Sequence, residues 1–167
     1  MRASDPVVQQ WAQGFSASSE LSGRSGDRLS AHHPQCVGCG PDNPHGHQMQ
    51  VWRHGDRVRT RHVFDPRHVG APGIAHGGAV ATVLDDLFGF VLYVVGDLAV
   101  TRHLEVGYRA PVLLGVPYLL EGGLDRREGR KLFVSARGLD EQGGLVVEAK
   151  AVFIVVELEH FSRGAAS

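Results

Sequence analysis

The chain has 167 residues, 43% of them hydrophobic, and a formal net charge of −1. That length suits one domain with a proper core, and the balanced charge argues against a nucleic-acid binder, which carries a basic excess or stripe. Met1 to Pro6 lack the apolar run of a secretory signal, no stretch offers the roughly 18 uninterrupted apolar residues of a membrane span, and the two cysteines do not make a disulfide-stapled secreted domain. A cytoplasmic protein that binds neither membrane nor nucleic acid is expected.

Residues 1–34 read as an N-terminal extension, 35–160 as the main domain and 161–167 as a tail. In the extension, Val7 to Phe15 suit a short helix, and Ser16 to Arg28, rich in Ser and Gly, read as a flexible linker. Next comes Cys36-Val37-Gly38-Cys39-Gly40-Pro41, with His32, His33, His45 and His47 nearby. A Cys-x-x-Cys beside histidines invites a zinc reading, but the strong signature needs a second pair at regular spacing, and the chain has none. A bent loop covering a pocket or an interface is therefore preferred, and no metal ligand is assigned.

From Met49 the pattern changes to strands. Met49 to Arg53 and Arg57 to Phe64 form two, with His54-Gly55-Asp56 as the turn. In the second, Val58, Thr60, His62 and Phe64 alternate with Arg57, Arg59 and Arg61, as when one face meets solvent. Asp65 to Ala75 read as a loop. His76 to Val95 is the long helix: Val80, Val83, Leu84, Leu87 and Val91 fall at helical spacing. Four further strands follow, Val100 to Tyr108, Tyr118 to Asp125, Lys131 to Asp140 and Leu145 to Val156, with glycine-bearing turns after Asp125 and Asp140. Two strands, one long helix and four strands make an α+β arrangement, an antiparallel sheet wrapped around a single helix.

The start of the helix carries the chemistry. Gly77 and Gly78 open it, and glycine there permits close approach of a ligand or of another backbone. The first N–H groups of a helix lack partners inside it and suit a developing oxyanion; the competing explanation is tight packing against a strand. At about 100° per residue, Gly78, Ala81, Thr82, Gly89 and Leu92 fall on the side of Asp85, whereas Val80, Val83, Leu87, Phe90, Val91 and Val94 fall opposite. A carboxylate on a small-residue face of a largely buried helix must be paired or used. Asp86, turned by about 100°, suits a solvated edge better. His76 and Asp85 lie nine residues apart, about 13.5 Å of rise, so they cannot share one bond within a chain but could across a two-fold axis.

Pro72-Gly73-Ile74-Ala75-His76-Gly77-Gly78, with Asp85 nine positions after His76, resembles the hotdog-fold thioesterases related to the phenylacetate-pathway and 4-hydroxybenzoyl-CoA thioesterases. The run Thr101 to Pro111 resembles the strand that follows the helix in that family, and Cys36 to Gly46 an N-terminal segment of some members. The resemblance implies a hotdog fold of one long helix and about six antiparallel strands, an acyl-CoA substrate, a homodimer or dimer of dimers paired through sheet edges, and no metal or organic cofactor. It implies that Asp85 is general base or nucleophile, that the N–H of Gly78 polarises the thioester carbonyl with Gly77 assisting, that His76 shapes the loop, and that Thr101 holds water or orients Asp85. Thr82, Asp86, Arg102 and Arg109 are the further candidates for substrate contacts, the arginines because CoA carries phosphates. Two other classes compete with hydrolysis: a hydratase or dehydratase of acyl thioesters using His76 with the partner's carboxylate, and a non-catalytic acyl-CoA-binding protein.

Overall fold

The computed structural model describes residues 6–21 and 25–162. Helix α1 spans Pro6–Leu21. It runs beyond Phe15, so the serines expected to begin a linker are helical as far as Leu21. Tertiary contact supplies the reason: Phe15 is buried against Tyr93 of the long helix, their rings 4.9 Å apart. Residues 22–24 of the expected linker lie outside the described residues.

Strands β1 (Trp52–His54), β2 (Arg57–Val63), β5 (Ala99–Tyr108), β6 (Pro117–Glu128), β7 (Lys131–Leu139) and β8 (Leu145–Val155) form one antiparallel sheet in the order β1-β2-β6-β7-β8-β5. A small hairpin, β3 (Val69–Ala71) with β4 (Ile74–Ala75), occupies the stretch expected to be loop. Before it, Asp65 caps a short 3-10 turn by accepting from the Arg67 N–H. The strand expected from Met49 begins only at Trp52. Upstream, Met49 N–H donates to the Gly38 carbonyl and Val51 carbonyl accepts from Leu29 N–H, so this backbone pairs with the N-terminal segment and not with β2.

Helix α2 spans Gly77–Val95 and ends at Gly96, whose φ of 82° gives the left-handed cap that closes helices. By length and composition it could cross a bilayer. It is instead the core of the domain: Val80, Val83, Leu84, Leu87, Phe88, Phe90 and Val91 are buried in the concave face of the sheet. From the sheet side, Val58, Leu120, Leu132, Val134, Ala149, Ala151 and Phe153 meet them. Each large side chain so buried contributes about 1.5–3 kcal/mol, which offsets the mediocre helix propensity of the β-branched residues in α2. The alternation expected in β2 holds, with Val58, Thr60, His62 and Phe64 all buried. One helix wrapped by six curved strands is the α+β hotdog arrangement.

The two sheet edges differ. Beside β1, residues 26–29 continue the ladder through Gly26 N–H to Arg53 O, Arg53 N–H to Asp27 O and Leu29 N–H to Val51 O. The outer edge of β5 has no such cover among the described residues. That bare edge carries Thr101 and Arg102 and runs past the exposed start of α2.

Candidate active site

His76 is the N-cap of α2: its backbone is extended, and Nδ1 accepts the Gly78 N–H at 2.9 Å. Gly77 and Gly78 are exposed. Their lack of side chains matters here. A Cβ on Gly77 would lie 3.3 Å from the Tyr108 hydroxyl, and one on Gly78 would lie 3.1 Å from His76 Nδ1. Tyr108, at the end of β5, donates to the Gly77 carbonyl at 2.6 Å and ties the strand to the helix start. Sequence reasoning did not single out this tyrosine, since the contact spans 31 positions. Thr82 Oγ1 donates back to the Gly78 carbonyl at 2.9 Å, which stiffens the first turn.

Asp85 sits two turns further along, half-buried on the small-residue side of α2. Thr101 Oγ1 donates to its Oδ1 at 3.0 Å, across a separation of sixteen residues. Both line a cavity of about 270 Å³ whose walls include Gly89, Leu92, Phe153 and, from α1, Trp11 and Phe15. Burial pushes the Asp85 carboxyl above the usual range, and the Thr101 hydrogen bond opposes it. The carboxylate is therefore poorly solvated, held by one hydroxyl and open to a cavity, the environment a base or nucleophile needs. Within the chain His76 reaches Gly78 and makes no contact with Asp85, as the nine-residue separation requires.

Asp86 is not at a solvated edge, and its carboxylate is not free for substrate. Its side chain is only 10% exposed, with His32 Nδ1 at 3.0 Å and Cys36 Sγ at 3.2 Å from Oδ1. The segment before β1 folds over it, which helix register alone could not reveal. Burial raises the Asp86 carboxyl, and the bond to His32 opposes this. For His32, burial works against the charged ring, but hydrogen bonds with Asp86 and Cys36 prevail and push it up to about 9. Cys36 is lowered by hydrogen bonding from Cys39 and His32, while Cys39 is raised by the same contact.

The two arginines part company. Arg102 is exposed at a β-bulge, where the β5–β8 register shifts between Thr101 and His103, and the bulge re-aims side chains next to Asp85's partner. Arg109 is ion-paired with Glu148 and lines a different groove, shared with Arg57, Arg137 and Lys150.

A family model described as Thioesterase superfamily matches residues 72–147, from the loop before α2 into β8. Over those residues the chain matches the thioesterase superfamily. Acyl-coenzyme A thioesterase THEM4 of Bos taurus is 35% identical over 121 residues, 70% of this chain and 49% of that protein. The chain thus spans about half the length of the curated relative it matches. Among solved structures, a thioesterase superfamily protein aligns with a TM-score of 0.68 at 22% identity, over 90% of this chain and 80% of the other. A hypothetical thioesterase from Streptococcus pneumoniae, solved with coenzyme A, aligns with a TM-score of 0.58 at 20% identity, over 60% of this chain and 82% of the other. Alanine variants of that pneumococcal protein, solved separately, replace an aspartate and a threonine sixteen positions apart.

Proposed function

We propose that this thioesterase-superfamily domain hydrolyses an acyl-CoA to the free acid and CoA, with Asp85 as the reacting carboxylate and a second copy of the chain completing the site. The observation that carries this reading is the Thr101–Asp85 hydrogen bond at the wall of a cavity beside the bare edge of β5. The pneumococcal pair chosen for substitution has the same sixteen-residue spacing, and its parent binds coenzyme A. THEM4, whose name states the activity, supports the substrate class.

The chemistry needs a nucleophile at the thioester carbonyl carbon and donors for the oxygen. Asp85 either takes a proton from a water whose oxygen bonds to the carbonyl carbon, or attacks that carbon itself to give a mixed anhydride that a water then hydrolyses. In both routes the carbon–sulfur bond breaks, and the departing CoA thiolate is protonated by the proton that the water gives up. The start of α2 supplies the donors. Gly77 and Gly78 N–H point along the positive end of the helix dipole, and the substrate carbonyl replaces the His76 imidazole as acceptor at Gly78. Seven to eight residues of helix, about 10.5–12 Å, separate these donors from Asp85 of the same chain. Pairing through the β5 edge brings the helix start of one copy toward Asp85 of its mate, gives that edge a partner, and makes a dimer or a dimer of dimers the working unit. Arg102 at the bulge is then placed for a CoA phosphate.

The test is thiol release from short, medium, long and aromatic acyl-CoAs by wild type and Asp85→Asn, with the mass in solution measured alongside. Turnover of some member, lost by about 10²–10⁴ in the variant, is expected of a removed catalytic carboxylate. Tight binding without cleavage of any thioester would remove hydrolysis and leave hydration or simple binding. A monomer with full activity would remove the shared site.

A further inference from the structure

We propose that His32, Cys36, Cys39 and Asp86 form a closed, tetrahedral metal site suited to Zn²⁺, which pins the N-terminal segment to the middle of α2. This departs from the loop reading of the sequence and does not depend on the proposed hydrolysis.

The donors come from three separate places: the bend at residue 32, the turn at 36–39 and the third turn of α2. One ligand atom from each of the four lies within 4.8 Å of all the others. His32 Nδ1 is 3.0 Å from Asp86 Oδ1, Cys36 Sγ 3.2 Å from the same oxygen, Cys39 Sγ 3.3 Å from His32 Nδ1 and 3.7 Å from Asp86 Oδ1. Ligands at ordinary Zn–S, Zn–N and Zn–O lengths, set at tetrahedral angles, stand about 3.3–3.8 Å apart. The four separations overlap that range, so the four atoms outline a coordination shell with a cation-sized centre.

Hydrogen bonding alone serves this group badly. Thiols are weak donors, and the single oxygen Asp86 Oδ1 is the acceptor on which His32 Nδ1 and both thiols converge. Asp86 Oδ2 is buried without a partner. A divalent cation turns the same crowding of electron pairs into bonds. Two sulfurs, an imidazole and a carboxylate in a tetrahedron favour zinc over the hard cations that prefer all-oxygen shells.

The surrounding backbone is folded to hold this shape. Gly40 N–H donates to the Cys36 carbonyl at 2.9 Å, closing the turn between the cysteines, and His32 N–H donates to Cys39 Sγ at 3.2 Å. A Cβ on Gly40 would fall 2.4 Å from the Cys36 nitrogen, and one on Gly38 would fall 2.3 Å from Asp86 Cγ. Glycine at 38 and 40 is what lets both sulfurs and the helix carboxylate converge. All four positions belong to the protein, the pattern of a structural site. Its reach is nevertheless functional: Asp86 adjoins Asp85, and His32 lines the same cavity as Trp11 and Phe15.

The deciding experiment uses untagged full-length protein. Metal content is measured after purification without chelator, and the stripped protein is titrated with Co²⁺ and with Zn²⁺. The expected result is one zinc per chain. Cobalt should give the visible bands of a tetrahedral site with a thiolate-to-cobalt charge-transfer band, zinc should displace it, and the stripped protein should melt at lower temperature. Cys39→Ser should lose the charge-transfer intensity in part and the zinc stoichiometry largely; should that variant fail to fold, the wild-type titration decides alone. Absence of stoichiometric zinc together with absence of cobalt–thiolate absorption overturns the site. So does a Cys36–Cys39 disulfide found by mass spectrometry in freshly purified protein.

Discussion

His62 offers a test of the core with a sign and a size. It lies on β2, 6% exposed, facing Phe64 with ring centroids 4.7 Å apart and His47 at 5.5 Å, and its Nε2 is buried without a hydrogen-bond partner. His47 in turn stacks on His68 at 3.8 Å. Burial, reinforced by the nearby His68, pulls the His62 ring from 6.5 down to about 4. His47 is shifted the same way, first by burial and then by His68, His62 and Arg67. The folded state therefore holds a neutral ring where the unfolded chain would take up a proton. Stability from this group is fully present above the unfolded value of 6.5 and is lost as pH falls toward 4. Between pH 7 and pH 5 the loss from His62 amounts to about 2 kcal/mol. Urea denaturation at the two pH values measures it, with His62→Leu as the comparison, since leucine keeps an apolar side chain and cannot titrate. The variant should lose about 2 kcal/mol less than wild type over that interval. Equal losses in the two proteins would refute the assignment of a buried neutral ring.

Thr101→Val keeps the shape of the side chain and removes the hydrogen bond to Asp85; because the site is solvent-accessible, kcat for the best acyl-CoA should fall by only about tenfold, with the melting temperature little changed. An unaltered kcat would detach Thr101 from the reaction. Leu87→Ala empties a fully buried position packed under Gly122 of β6 and should cost about 2–5 kcal/mol in urea denaturation. A cost below about 1 kcal/mol would mean that α2 is not the centre of the core.

Much of the fold was legible in the chain because its signals are local. The period of two in β2 placed Val58, Thr60, His62 and Phe64 inward, and the helical spacing from Val80 to Val91 marked the face that the sheet covers. His76-Gly77-Gly78 marked the N-terminus of α2, since a capping side chain and two small residues act within one turn. Helix register also separated Asp85 from Asp86. What each acid touches was beyond local pattern. Asp85 meets Thr101 because β5 returns beside α2, and Asp86 meets His32 and Cys36 because the N-terminal loop crosses the helix, contacts over 16, 54 and 50 positions. The same limit hid the true length of α1, whose serine-rich end has weak helical preference but continues from a turn anchored by Phe15 on Tyr93. Periodicity reports which side of an element avoids water. Which distant residues share a site depends on the path of the loops, and tertiary packing decides that path.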